Sequence, residues 1–530
     1  MNRVRHFSVN RPSIVALYAW IMLITAISLL FGEETLAPVD SRTNLPIGGV
    51  HLSFPVWGSI MEPFTALFHI MGAVPAYKPG IGSILAWIMV VVLILSISTA
   101  RKNGSTLFST VFQTFRNAGL ALLLLALYLA VGLTIHFPNW ALEKDGSELV
   151  VADIHSHSLL SHDGMISANK NLLLHEQRGY DVVAMTDHVN SQGPFDAGRV
   201  KGEGGIPAVL SGIEVPVYYG AHFYLLGLGM SKGAPLPNGL SWREGTESPT
   251  PPARLPPYLW DVKQFIATIH HYHGVVITVA HNLDASEVFK LADQGVDGFE
   301  YINSGHAPLS GTVRKAMLTV QRTKGIPLLA SNDWHGWSGN LNAWTLVAPA
   351  NTQALMPGDI VLEALRHHDS AHIIPAVSFP VHPMSWFEVI TAPFSATFLY
   401  AKTLSFWQLL FWWVWAGIFT LLVRSWPFRR ISPARFVMHL FILTAGVLEL
   451  CDGAAMLLTS YSSSLAPALN LKISCIGIGI GLLLITFESR LFYAHFKQVQ
   501  TARLLKLISP IMLFLSLTGL FRPKGQRGVV

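Results

Sequence analysis

Long apolar runs fill both ends of the chain, while the middle carries short ones broken by polar residues. Ser13 to Phe31, Gly82 to Ala100 and Asn117 to His136 each reach the roughly 20 residues that an α-helix needs to cross a bilayer. Beyond the middle come Ser405 to Val423, Phe436 to Thr459, Leu471 to Phe487 and a shorter run, Leu504 to Phe521. Gly58 to Tyr77 is also apolar, but it holds Glu62, Pro63 and His69, which are costly at mid-membrane, so it reads as interfacial or re-entrant. The first run follows Arg3, Arg5 and Arg11 and lacks a short apolar core with a small-residue cleavage site, which predicts an uncleaved anchor.

Between about Glu143 and Pro380 the rhythm changes to short β-rich runs followed by helical ones. Strands are predicted at Leu149 to Ile154, Asp181 to Met185, Ala208 to Ile213, Phe223 to Gly229, Val275 to Ala280, Gly298 to Ile302 and Pro327 to Ala330. Helices are predicted at Asn169 to Arg178 and Leu259 to Tyr272. Strands alternating with helices imply an α/β fold with a parallel sheet, open or closed into a barrel. Residues 231–257, rich in Pro, Gly and Ser, form a loop insert. The division is thus 1–142 as an N-terminal transmembrane region, 143–380 as the α/β domain and 381–530 as a C-terminal transmembrane region.

Composition agrees with the membrane reading: 51% hydrophobic against 13% charged residues is too apolar for a soluble protein. The net charge of +5 comes from Arg and Lys at the ends of apolar runs, so it marks topology and calls for no nucleic acid. The loops holding Arg101, Lys102 and Arg116, and Arg424 to Arg435, are basic and read as cytoplasmic. Each lies one span away from the α/β domain, which is therefore expected on the extracytoplasmic side. Arg522, Lys524 and Arg527 would break this rule if the last run crossed, so that run is expected to turn back. Both cysteines, Cys451 and Cys475, fall in apolar runs, which excludes thiolate chemistry in the α/β domain.

In such folds ligands bind at the C-terminal ends of the strands. The residues there are Asp153-Ile154-His155-Ser156-His157 with Ser161-His162-Asp163-Gly164, then Thr186-Asp187-His188, Glu214, His222 at the opening of a strand, His281, and Asn332-Asp333-Trp334-His335. Gathering so many ionisable groups costs several kcal/mol each unless cations neutralise them. Imidazoles with carboxylates suit Zn, Mn or Fe, and Glu214 could bridge two ions. His270, His271 and His273, at a helix end where cations are favourable, read as structural, as do Glu300 and Asn303. Arg199 reads as a loop cation. Glu449 and Asp452, one turn apart in an apolar run, are either functional or reach water at the helix end.

This ordered set resembles the polymerase and histidinol phosphatase family, the PHP domain, over residues 149 to 340. The resemblance implies a distorted seven-stranded barrel with two or three divalent ions. His155, His157, Glu214 and Asp333 would hold the first, and Glu214, His222 and His281 the second. His188 and His335 would hold the third with either His162 or Asp163, because the first motif has one residue more than the usual Ser-Asp-Gly. Asp187 would orient His188, and His188 and His335 would take part in catalysis.

The expected activity is a membrane-anchored metal-dependent phosphoesterase acting on a small-molecule or lipid-linked phosphoester, with the bilayer as its other partner and oligomeric state open. Two other readings stand beside it. One is a non-catalytic domain binding metal or a phosphorylated ligand in a transporter or sensor; the other is a metallohydrolase of amides or lactones.

Overall fold

A computed structural model describes residues 11–424 apart from 33–35, 73–76, 135, 162, 189–206, 219–220, 228–240, 243–248, 251–261, 272, 280–282, 307, 337–340, 350–355 and 380–384. The three apolar runs expected beyond Arg424, with Glu449 and Asp452, lie outside the described residues, as do Arg199 and most of the 231–257 insert.

The strands are β1 (Val39–Asp40), β2 (Leu45–Pro46), β3 (Val50–Ser53), β4 (Ala141–Lys144), β5 (Val150–Ser156), β6 (Val182–Met185), β7 (Ala208–Tyr218), β8 (Ala221–Leu226), β9 (Ser241–Trp242), β10 (Pro249–Thr250), β11 (Val275–Thr278), β12 (Gly298–Asn303), β13 (Leu328–Ser331), β14 (Ala343–Val347) and β15 (Ile373–Val377). Eleven of them form one mixed sheet in the order β13-β12-β11-β8-β7-β6-β5-β14-β15-β1-β2. The runs β5-β6-β7 and β11-β12-β13 are parallel, whereas β8 is antiparallel to both neighbours.

The sheet curls. A parallel bridge joins Ser156, at the end of β5, to Trp334, just past β13, and Asp333 N–H donates to the His155 carbonyl at 2.9 Å. The end of β5 and the chain just past β13 therefore come together where the candidate ligands lie. Inside the curl, Val150, Ala152, Ile154, Val182, Ala184, Tyr224, Leu226, Val275, Ile277 and Leu329 form a buried cluster, filled by Val361 and Leu365 of helix Pro357–Arg366. Alternate residues of β5 and β6, Val151, Val183 and Met185, belong to a second cluster on the outer face. This two-sided burial explains why the strands read as continuous apolar runs.

The strands expected from the pattern all form, with ends shifted by a few residues. β14, β15 and helices Ala285–Gln294, Gly311–Lys324 and Pro357–Arg366 are additions. A further addition comes from outside residues 143–380: β1, in the polar stretch after the first apolar helix, pairs with β15.

The apolar helices make one bundle. Ile21 and Ile24 of helix Arg11–Phe31, Ala66 and Ile70 of helix Glu62–Gly72, Ile84 of helix Tyr77–Lys102, and Ala396, Tyr400, Trp412 and Ala416 from past the sheet share a core. Helices from before and after the sheet thus share one core. Among the described residues two helices, over Ile14–Phe31 and Gly80–Lys102, are long and apolar enough to cross a membrane. Helix Leu107–Thr134 covers the third expected run. The run expected as a span from Ser405 forms helix Phe406–Arg424, which meets helix Trp386–Lys402 at a bend of 109°. Gly58 to Tyr77 contains two short helices, Val56–Ser59 and Glu62–Gly72, packed beside this pair.

Candidate metal centre

β5 is buried along its whole length, and its pairing with β6 shifts register between Asp153 and Ser156. The irregularity alters the strict alternation of faces. Beyond it the His155 ring lies against Tyr224 of the interior cluster, centroids 4.7 Å apart. The next turn depends on glycine, because a Cβ on Gly164 would sit 1.8 Å from the Ser158 carbonyl oxygen. On the opposite side Asp333 has φ +47°, a conformation uncommon outside glycine that Asp tolerates better than most residues.

Four buried ligand atoms converge there. His155 Nε2 and His157 Nε2 are 3.1 Å apart. Glu214 Oε2 lies 3.1 Å from the first and 3.3 Å from the second, and Asp333 Oδ1 lies 3.3 and 3.0 Å from them. All four atoms lie within 4.8 Å of one another, close enough to share one ion at the roughly 2 Å of a zinc–nitrogen or zinc–oxygen bond. The donor set therefore fits a divalent cation. Two imidazole nitrogens facing each other cannot both find acceptors in one another.

A second group lies alongside, formed by His157, Asp163, His188 and His335. Asp163 Oδ2 is 3.4 Å from His188 Nε2 and 3.1 Å from His335 Nε2, while His188 Nδ1 is 3.2 Å from Glu214 Oε2. His157 and His335 stack at 4.1 Å. Despite its nearness to Asp163, His335 Nε2 lacks hydrogen-bond alignment, and it and His157 Nδ1 are buried without a hydrogen-bond partner.

The electrostatics match a cation site holding protons in the cation's place. Burial disfavours charge on His155, but Asp333, Glu214 and Glu300 outweigh it and lift its pKa well above 6.5. His157 is likewise opposed by burial, and hydrogen bonds to Asp333 and Glu214 raise it to about 9. Asp163 is held far below the carboxylate range: burial opposes this, but His188 and His335 prevail. Burial pushes His188 down, leaving a neutral ring suited to ligation.

Around these groups is a supporting ring that the sequence reading saw only in part. Glu300 Oε1 is 2.8 Å from His155 Nδ1 and also accepts from Ser331, while Asn303 donates to Oε2 at 3.0 Å. This carboxylate–histidine pairing fixes ring orientation, as is usual behind a ligating imidazole. Asn303 Nδ2 and His306 Nε2 both lie 3.1 Å from Asp333 Oδ2, leaving Oδ1 for the cluster. Asp153 takes His175 Nε2 and Asn332 Nδ2, each at 2.8 Å, tying β5 to the chain after β13. His306, His175 and Asn332 carried no recognisable motif, since each is brought in by a return of the chain.

The Asp187 carboxylate accepts from Ser158 N–H at 2.5 Å and Ser158 Oγ at 2.8 Å, so it anchors the loop after β5. Burial raises its pKa. Of the alternatives His162 and Asp163, Asp163 joins the second group, while His162 lies outside the described residues. So does His281. His222 stands on β8, with its side chain outside the description. Among the helix-end histidines, His270 Nε2 meets Asp297 at 2.8 Å, a pair remote from the cluster.

No family model matches the chain, and no curated protein does either. Among solved structures it is similar to a Bifidobacterium adolescentis protein whose name proposes a metal-dependent phosphoesterase. That likeness has 19% identity and a TM-score of 0.30, over 41% of this chain and 95% of that one. A two-domain Bacteroides vulgatus protein, whose name proposes a PHP-like metal-dependent phosphoesterase, is similar at 15% identity and a TM-score of 0.30, over 47% and 71%. An amidohydrolase from Chromobacterium violaceum, with sulfate bound and no metal, is similar at 15% identity and a TM-score of 0.28, over 42% and 97%.

Proposed function

We propose that the chain is a membrane-anchored metal-dependent phosphoesterase whose PHP-type barrel, the seven strands β5 to β13 closed by the Ser156–Trp334 bridge, faces the extracytoplasmic side. The observation that carries this reading is the convergence of His155, His157, Glu214 and Asp333 on one point of metal-site size, with a second group sharing His157 directly beside it.

The first group would hold one divalent ion, and Asp163, His188 and His335 another, with His157 or Glu214 between them. Ions held there supply positive charge to phosphoryl oxygens and lower the pKa of water. The remaining work belongs to the protein. Glu300 and Asn303 fix the angle of His155, and His306 with Asn303 commits Asp333 through one oxygen. Asp187 holds the Ser158 loop closed under the second group. His335, one-fifth exposed at its side chain, and half-buried His306 stand at the rim, where they can contact a phosphate and a departing alcohol.

The test is metal analysis of purified protein beside turnover on a panel of phosphomonoesters and phosphodiesters, for wild type and Glu214→Ala. Bound metal with phosphoester turnover, both lost in the variant, supports the proposal. Metal with turnover only of amides or lactones would transfer the site to that chemistry. Metal without any turnover would leave a binding domain.

A further inference from the structure

Helix Tyr77–Lys102 is followed by a tight hairpin and then helix Leu107–Thr134, which packs against it and returns to β4 beside the sheet. The hairpin end is thus remote from the α/β domain, and the first half of helix Tyr77–Lys102 lies toward it. Helix Phe406–Arg424 runs beside helix Arg11–Phe31 in the opposite sense, Trp413 meeting Thr25 and Thr420 meeting Tyr18. Helix Trp386–Lys402 turns 109° from it and so crosses the bundle. It does so at the domain end, because Ser28, near the exit of helix Arg11–Phe31 toward β1, donates to the Leu404 carbonyl at 3.2 Å. Its Trp386, Phe387 and Phe394 are 74, 60 and 62% exposed, the aromatic display of an element lying at a membrane interface.

Beneath this crossing helix is a cavity of about 390 Å³. Leu67 and Ile70 form one wall, Ile84 to Val92 the second, and Pro393, Phe394 and Thr397 the roof. Its lining from helix Tyr77–Lys102 lies about 10 to 22 Å along that helix from its domain end, reaching to about the middle of the span. Val91 and Phe394 are 49 and 62% exposed, so the groove opens sideways, where lipid tails would be. From its wall the path to the metal centre is short in contacts. His69, beside Ile70, lies 3.3 Å from the Pro138 carbonyl, and His136 lies 2.8 Å from the carbonyl of Gly336, next to His335.

We propose that this groove takes a hydrocarbon tail of the substrate, and that the substrate is a lipid phosphoester drawn from the adjoining leaflet with its phosphate at the strand-end centre. The inference rests on the phosphoesterase reading for the fate of the phosphate; for the tail it rests on the groove. An apolar groove of this volume is in the size range of ligand sites, and a lipid phosphate is the ligand that matches an apolar slot within a leaflet and a cation centre above it.

Full-length protein in phosphatidylcholine vesicles would be labelled with phosphatidic acid carrying a diazirine in one acyl chain, and the adducts mapped by mass spectrometry. Adducts are expected at residues 84–92 and 393–397, suppressed by excess phosphatidic acid and not by diacylglycerol of the same chain length. Val91→Trp, which narrows the groove at a half-exposed position, is expected to lower kcat/KM for phosphatidic acid at least tenfold while leaving a short water-soluble phosphoester unchanged; the soluble substrate reports that the variant folds. Equal suppression by diacylglycerol would mean ordinary bilayer lipid and overturn the proposal. Absence of adducts would mean that the chain itself fills the groove, and an equal effect of Val91→Trp on both substrates would overturn it as well. Selective adducts in a protein that hydrolyses no phosphoester would uphold the groove and sink the hydrolase reading instead.

Discussion

Glu62 in the helical bundle and Glu214 at the strand ends are both carboxylates removed from water, with histidine beside each, and they differ in how their oxygens are matched. Glu62 Oε1 accepts from Tyr400 at 2.8 Å and meets His69 Nδ1 at 3.0 Å, while Oε2 accepts from Gln408 at 2.8 Å. Trp412 in turn donates to the Tyr400 hydroxyl at 2.9 Å. Each oxygen has a donor aimed at it, and the donors come from different helices. Glu214 Oε2 instead has three imidazole nitrogens within 3.1 to 3.3 Å, two of which face each other. A matched buried carboxylate fastens elements together, whereas one surrounded by crowded, mutually opposed donors is arranged for a cation.

The largest effect is expected from the unmatched carboxylate. Glu214→Ala removes the oxygen that His155, His157 and His188 all face and should cost on the order of a thousandfold in turnover and metal retention, read by metal analysis and kcat. Glu62→Gln should leave both unchanged on a soluble substrate. If Glu62→Gln emptied the centre, or Glu214→Ala left it filled, the contrast between the two clusters would be void.

Proton competition comes next. In the metal-free protein His157 keeps its proton up to about pH 9, and a binding ion must displace it. Apparent metal affinity should therefore rise with pH, about tenfold per unit for each proton released, with the share due to His157 levelling off near pH 9. The raised pKa also stabilises the metal-free fold below the unfolded value of 6.5, and that contribution fades as pH climbs from 6.5 to about 9. Titration by calorimetry in buffers of differing ionisation enthalpy gives the proton count; no proton release between pH 7 and 8 would contradict the cluster's charge state.

A smaller loss is expected behind the ligands. Glu300→Ala frees the His155 ring without removing a ligand and should weaken metal binding about 10- to 100-fold, measured by competition with a chelator. That pairing shows how far the sequence was legible. Strand ends could be read because apolar runs stop at His, Asp and Glu, so His155, His157, Glu214, Asp333 and His335 were visible as a set. Helix Ala285–Gln294 could have been found too, since Asp284 and Glu287 form a capping box. By contrast β1 has two residues and carries no period, and β14 is a five-residue apolar run that periodicity cannot assign. The crossing helix was hidden by Glu388 and Pro393 within its apolar run. His306 and Asn332 were illegible for another reason: their partners are set by where β12 and β13 end in space.

The smallest effect belongs to the matched cluster, and it is one of stability. Gln408→Ala removes the donor to Glu62 Oε2 in a place water does not reach, so it should destabilise the folded protein by about 1 to 3 kcal/mol. Tyr400→Phe takes a donor from Oε1, which His69 still faces, and also strands the Trp412 N–H, so a similar or smaller loss is expected. Because helices Glu62–Gly72, Trp386–Lys402 and Phe406–Arg424 meet through these side chains alone among their polar groups named above, the loss should appear as earlier thermal unfolding in detergent with metal content and turnover on a soluble ester retained. The double variant Glu62→Leu with Gln408→Leu separates the two meanings of a buried charge. If it recovers the stability that Gln408→Ala loses, the cluster is a matched fastener; if it abolishes turnover at unchanged stability, Glu62 is a working group and the distinction from Glu214 collapses.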